Sequence, residues 1–335
     1  MKQLTGLRLA LTAMAVMGSF CATQAMAQVP PRFYLKNLEG GNGVPIIINS
    51  LSGNTNPFDS SNMVISPEAT FDSTMVMAGF AHNYSLFDRA AMAAVILPMG
   101  RISGEALLKT PTGTTKQANQ EANGFGDPML EFTINLIGPG PQRNIPDAMR
   151  YEPGLSLDLL ADVVLPIGEY NNNQQLNIGQ NRWYTRLGMP VIWQLGDWVP
   201  GRRTTLEFLP LAWIYGDNTD YVGQTLSTKP LYQLDAHLTR DFTSKFWGSL
   251  DAVWYNGGQA TISGPTGSVT GSKLNNMGVG LTLGFTLNDN MSMTVGYKSA
   301  INNNAPGDMK MDGFMFSFVY GWHPLFEGFN RLKGN

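Results

Sequence analysis

Residues 314–322 read FMFSFVYGW, with an aromatic ring at every second position and Met315, Ser317, Val319 and Gly321 between the rings. On a helix such rings would point in nearly every direction. On a strand, where successive side chains alternate faces, all five share one surface. The same period of two recurs along most of the chain. Leu130, Phe132, Ile134 and Leu136 alternate with Glu131, Thr133 and Asn135, and Leu155, Leu157, Leu159, Ala161, Val163 and Leu165 alternate with Ser156, Asp158 and Asp162. Met277, Val279, Leu281, Leu283 and Phe285 alternate with Gly278, Gly280, Thr282 and Gly284. Each such segment has one apolar face, while its reverse is polar, charged or tiny, so no second set of apolar surfaces remains to build a sandwich core.

Segments of this kind span 70–82, 89–102, 127–137, 155–165, 183–195, 204–215, 231–241, 246–256, 274–285, 291–300 and 314–322. Sandwich strands run to about 5 to 6 residues, whereas a tilted strand crossing a bilayer needs about 9 to 11. These segments have the longer length. Trp183, Trp193, Tyr215, Trp254, Tyr255, Tyr297, Tyr320 and Trp322 fall near segment ends, where interfacial girdles lie. The pattern predicts an all-β fold, a transmembrane antiparallel β-barrel. A secreted sandwich or solenoid is the alternative.

Connector lengths set the strand number. The connectors 83–88, 196–203, 242–245 and 286–290 are short, and 103–126, 166–182, 216–230, 257–273 and 301–313 are long. That is the asymmetry of tight periplasmic turns and longer extracellular loops, with 138–154 the exception on the short side. With 83–88 periplasmic, an even closed barrel needs one more upward strand before residue 70. The segment 44–49 is the candidate, which brings the count to roughly twelve.

Composition agrees. The chain is 14% charged and 43% hydrophobic, against about a quarter charged in soluble domains. Residues 1–27 read as a cleaved signal peptide, with Lys2 and Arg8 ahead of an apolar centre and Ala25-Met26-Ala27 at the exit. The single cysteine, Cys21, lies inside this leader, so the mature chain is expected to have no disulfide, thiolate metal site or cysteine nucleophile. Lipid attachment at Cys21 is disfavoured by the bulky Phe20 before it. Loss of the leader takes Lys plus Arg from 22 to 20 against 25 acids, moving the net charge from -3 to -5. No basic stripe is present for nucleic acid. The remaining organisation is a loop-rich N-terminal segment, 28–69, holding the one strand candidate, a barrel over 70–322, and a tail over 323–335.

By the alternation, Glu131, Asp158, Asp162, Arg186, Glu207, Asp235, His237, Asp251 and Lys298 face inward and are the candidates for lining a lumen and setting its selectivity. Pairing among themselves to satisfy a polar interior is the other reading. His237 is the only histidine on an inner face, two residues from Asp235, and no nucleophile elbow accompanies it, so no enzyme is predicted. The acidic stretch 216–220, GDNTD, lacks the spacing of a calcium loop. No metal or cofactor is expected. In NIGQNRW, residues 177–183, Asn177, Gly179 and Asn181 suit a loop with left-handed residues, while Arg182 and Trp183 suit a strand entering the interface; a loop folded into the lumen as a constriction is the sharper alternative.

Several stretches resemble the MetA-pathway of phenol degradation family of outer-membrane transporters: SLFDRAAMAAVILPMG (85–100), GFGDPMLEFTINLIG (124–138), PIGEY (166–170) leading to NIGQNRW, GDN (216–218) and YNGG (255–258). Asp88 stands where the pattern would place a glycine. The resemblance implies a barrel in the bacterial outer membrane that passes small hydrophobic or aromatic compounds, with that solute and outer-membrane lipid as its partners. The expected function is a passive channel. A structural or adhesive barrel and a lipid-modifying barrel enzyme are the alternatives.

Overall fold

The computed structural model describes residues 29–65, 68–109, 115–265, 267–302, 305 and 308–325. The leader and the tail beyond residue 325 lie outside the described residues. The chain runs through β1 (Asn42–Gly53), β2 (Thr70–Leu86), β3 (Arg89–Lys109), β4 (Thr115–Phe125), β5 (Met129–Ile137), the short helix α1 (Ile145–Arg150) and β6 (Leu155–Val164). It continues through β7 (Tyr184–Gly188), β8 (Val191–Gln194), β9 (Thr204–Tyr215), β10 (Asn218–Tyr221), β11 (Gln224–Thr228) and β12 (Leu231–Asp241). Last come β13 (Phe246–Gly257), β14 (Ala260–Gly264), β15 (Gly267–Thr270), β16 (Leu274–Asn288), β17 (Met291–Ala300) and β18 (Met311–Trp322).

Twelve antiparallel strands close into a barrel, two of them built from consecutive pieces, β4 with β5 and β7 with β8. Closure is made by β1 and β18, which pair without a break from Asn42↔Trp322 to Gly53↔Met311. The strand candidate 44–49 is thus the centre of a longer element whose ends are Asn, Gly and Ser. The five rings of FMFSFVYGW point outward, with Phe314 63% exposed at the protein surface, while Met315 and Ser317 are buried inward. Outward rings also meet one another, Tyr297 with Phe314 across β17 and β18 at 4.9 Å and Tyr320 with Trp322 along β18 at 5.7 Å.

Four segments differ from the sequence expectation. The segment 183–195 is not one strand: Pro190, which has no amide hydrogen to give a ladder, separates β7 from β8, and its carbonyl accepts from Asp158 N at 2.9 Å. The connector 103–126 is largely hairpin, since β3 runs on to Lys109 and pairs with β4. Connectors 216–230 and 257–273 also fold as hairpins and join edge to edge in a separate four-stranded sheet, β10-β11-β14-β15, over the extracellular end. At the turn before β3, Phe87 (φ 52°) and Asp88 (φ 62°) both adopt left-handed backbone without glycine. Asp88 is ion-paired there to Arg143, in the long periplasmic connector that carries α1.

The lumen is filled by the chain itself. Residues 29–38 enter from the end bearing the short turns, and Val29, Phe33 and Tyr34 are buried within the main apolar cluster. The connection from β1 to β2 fills the opposite end, where Asn54 to Asn62 are buried. The outward placement of Phe316 sets a test: Phe316→Arg should destabilise the barrel by about 2–4 kcal/mol, as a guanidinium at mid-depth on a lipid face does. Urea unfolding in lipid vesicles reads this, and an unchanged midpoint would contradict the assigned face.

Candidate functional site

The lumen has two unlike walls. Strand register lines up Glu131 on β5, Asp162 on β6, Arg186 on β7 and Trp213 on β9 as successive neighbours. Charges withdrawn from water need each other and well-formed hydrogen bonds. The Arg186 fork supplies both, donating Nη2 to Glu131 Oε2 at 2.8 Å and Nε to Asp162, with its guanidinium carbon 5.2 Å from the Trp213 ring centre. A second row runs Glu207, His237, Asp251, Gly280 and Lys298 across β9, β12, β13, β16 and β17. Gly280 is required there, because an added Cβ would stand 2.8 Å from Lys298 Cγ and 2.8 Å from Tyr297 O. Asp251 is held by His237 Nδ1 at 2.7 Å, Ser249 Oγ at 2.6 Å and Thr282 Oγ1 at 2.6 Å. His237 Nε2 has no hydrogen-bond partner among the described residues.

The opposite wall is apolar. Met75, Met77, Met92, Met311 and Met315 are buried on the inner faces of β2, β3 and β18, together with Ile47 on β1 and Ile96 on β3. Sequence alternation missed this wall, because around Met75 and Met77 the intervening Val76, Ala78 and Phe80 are apolar too and the two faces cannot be told apart.

The N-terminal segment matches both walls. Phe33 and Tyr34 pack in the apolar cluster that includes the methionines. Arg32 donates Nη1 to Asp241 at 2.5 Å and Nε to Thr239 at 3.0 Å, its backbone N–H donates to Glu207 at 2.7 Å, and its guanidinium lies 4.6 Å over the Trp247 ring. Lys36 is ion-paired to Asp158, and Val29 N donates to Asp235 at 3.2 Å. The inward acids therefore face protein, and apart from Lys298, which is half-buried, the inward ionisable candidates are at most 5% exposed.

At the extracellular end the recurrent motifs come together. Asp127 of GFGDP accepts from Gly168 N of PIGEY at 2.8 Å and from Gln180 N of NIGQNRW at 2.6 Å. The three backbones touch: a Cβ on Gly168 would stand 2.5 Å from Gly126 C, and one on Gly179 would stand 2.7 Å from Gly168 C. Asn177 ties its own loop through Asn171 and Gln174 and accepts at its carbonyl from Asn56 at 2.7 Å. Asn181 (φ 51°) donates to Asn218 of GDN at 3.1 Å. Arg182 pairs with Asp59 at 2.9 Å, donates to Thr228 at 2.7 Å and lies 4.9 Å over the Tyr215 ring. Trp183 faces outward and is exposed. The NIGQNRW loop thus clasps residues 54–62 across the barrel mouth.

Burial raises the Asp127 carboxyl to about 6, against the pull of its two backbone donors. A folded-state value above the unfolded one means the folded protein holds the extra proton, so this group's contribution is full below about pH 4 and lost as pH rises through 6. The wild-type urea midpoint should fall over that window relative to Asp127→Asn; equal slopes would refute the assignment. Arg186→Ala, which strands two buried carboxylates, should cost about 3–5 kcal/mol in the same assay.

Comparison with known proteins places this geometry. The family model described as "Putative MetA-pathway of phenol degradation" matches residues 52–318. No curated protein sequence matches the chain. Among solved structures, the COG4313 outer membrane channel from Pseudomonas putida F1 superposes with a TM-score of 0.66 at 16% identity, over 88% of this chain and 99% of that one. The transport unit of the autotransporter AIDA-I from Escherichia coli gives 0.48 at 10% identity, over 88% and 95%. The toluene transporter TodX from Pseudomonas putida gives 0.42 at 11%, over 93% and 96%. The fold is that of bacterial outer-membrane barrels, and the chain belongs to the MetA-pathway of phenol degradation family.

Proposed function

We propose that this protein is a passive outer-membrane channel for small apolar or aromatic solutes, closed at rest by its own residues 29–38 and 54–62. The observation that carries the reading is the two-faced lumen. Polarizable thioether side chains along one wall suit apolar and aromatic guests, while the charged wall provides Asp158, Glu207, Asp235 and Asp241 as anchors for the N-terminal stopper. Arg186 holds Glu131 and Asp162 together and keeps the charged wall in shape, and His237 pairs with Asp251 in the second row, which ends at Lys298. Asn177, Gly179, Asn181, Arg182 and Trp183 set the outer closure. The stopper is attached chiefly by side-chain contacts; among the described residues a single bridge, Leu38↔Gln142, joins it to the rest of the chain as strand. Such contacts can be exchanged for water or solute without opening the wall. The family name supports the solute class.

A barrel serving only as support would share the filled lumen and conduct nothing. In planar bilayers, Arg32→Ala/Lys36→Ala should raise ion conductance several-fold over wild type. Vesicles with a lipopolysaccharide outer leaflet should take up phenol faster with either protein than without. Absence of conductance and of uptake in both proteins would sink the proposal.

A further inference from the structure

We propose that a cavity of about 390 Å³ at the extracellular mouth is a capture site for small neutral apolar solutes, separate from the lumen. It is bounded by Met63, Tyr221, Ala260, Ile262 and Leu274, with Gln175 contributing a polar edge. A dry cavity near 150 Å³ already holds benzene, so this one has room for one or two rings.

The chemistry of the walls selects the guest. Among the described residues no Asp, Glu, Lys, Arg or His lines the cavity, in contrast to the lumen below it. An ionised solute would give up its hydration there without gaining a partner, whereas a neutral ring gains from leaving water. The walls are also preformed. Leu226↔Ile262 and Thr225↔Ser263 pair β11 with β14, and Tyr221, Leu226 and Ala260 form a small buried cluster against which Met63 and Ile262 pack. A site held by paired strands does not have to order loops when the guest arrives.

The inner boundary is shared with the β1–β2 connection that closes the mouth. Met63 packs on this outer cluster, whereas Val64 and Ile65, which also line the cavity, pack against the main lumen cluster. Gly258, at φ +64°, abuts the same segment, and an added Cβ there would stand 3.2 Å from Ser61 O. A solute in the cavity would therefore touch one side of the partition whose other side closes the barrel. Its direction toward the lumen rests on the channel reading above; binding does not.

The test uses fluorine NMR of 4-fluorotoluene and 4-fluorobenzoate with the full-length protein in lipid nanodiscs, where partition into lipid is a common background. Wild type should bind 4-fluorotoluene and not the anion. Ile262→Glu, which places a charge in the wall, should weaken binding at least tenfold. Gly271→Phe should do the same by filling the space, since a Cβ there meets only Ala260 O, at 3.7 Å. Equal binding in all three proteins, or binding of the benzoate as tight as that of the toluene, would overturn the proposal. Phenol uptake with the same three proteins reads the channel separately: selective binding without uptake would remove the channel and leave the site standing.

Discussion

Hydrocarbon offers no hydrogen bonds, so any strand edge left open in a bilayer carries a row of amides and carbonyls with nothing to meet, each costing several kcal/mol. The β1–β18 seam answers that demand, and much else in the molecule follows from it. Once the wall closes on itself, its outer side chains need only be apolar, and rings can be spent on FMFSFVYGW without any protein surface to receive them. The inner side chains are released from packing against a second sheet. Pro190 marks how strict the requirement is: where it interrupts the β7–β8 strand, its carbonyl is taken at once by Asp158 N.

A ring of twelve strands encloses more space than small wall residues can fill, and here the remainder is occupied by the chain. That choice governs the electrostatics. Arg186 pairs with both Glu131 and Asp162, and Asp158 and Asp241 receive Lys36 and Arg32 from the inserted segment. Charge in the wall and charge in the insert are complementary parts of one interior, and aromatic side chains on the insert meet methionine on the other wall. The interior is consequently polar by composition and filled largely by protein.

The barrel was legible because the membrane imposes a period that side chains cannot evade. Leu130, Phe132, Ile134 and Leu136 could not have been arranged otherwise. Legibility fails where that pressure is absent. Met75 and Met77 sit among apolar neighbours, so periodicity does not say which face is inner. The inserted segment has no period; its only trace is Arg32, Phe33, Tyr34 and Lys36 gathered in a chain poor in charge. β10, β11, β14 and β15 are 4 or 5 residues each, too short for alternation to separate them from loop. The inward ionisable residues were identifiable one by one, but their partners were not, because register between distant strands is invisible in a linear string. The convergence of GFGDP, PIGEY and NIGQNRW on Asp127 has a linear hint only in the repeated glycines, whose reason is that three backbones cross within contact distance.

The insert also dictates a chronology. Val29 and Arg32 reach partners on β9 and β12 that lie 175 to 209 residues further along the chain. Contacts of such separation form late, after the intervening chain has been ordered. The first residues of the described chain are therefore among the last to find their places. The β1–β18 seam joins residues still further apart, 258 at Gly53↔Met311 and 280 at Asn42↔Trp322, so sequence separation puts closing the wall and seating the insert in the same late stage, and the cylinder is stoppered as it is sealed.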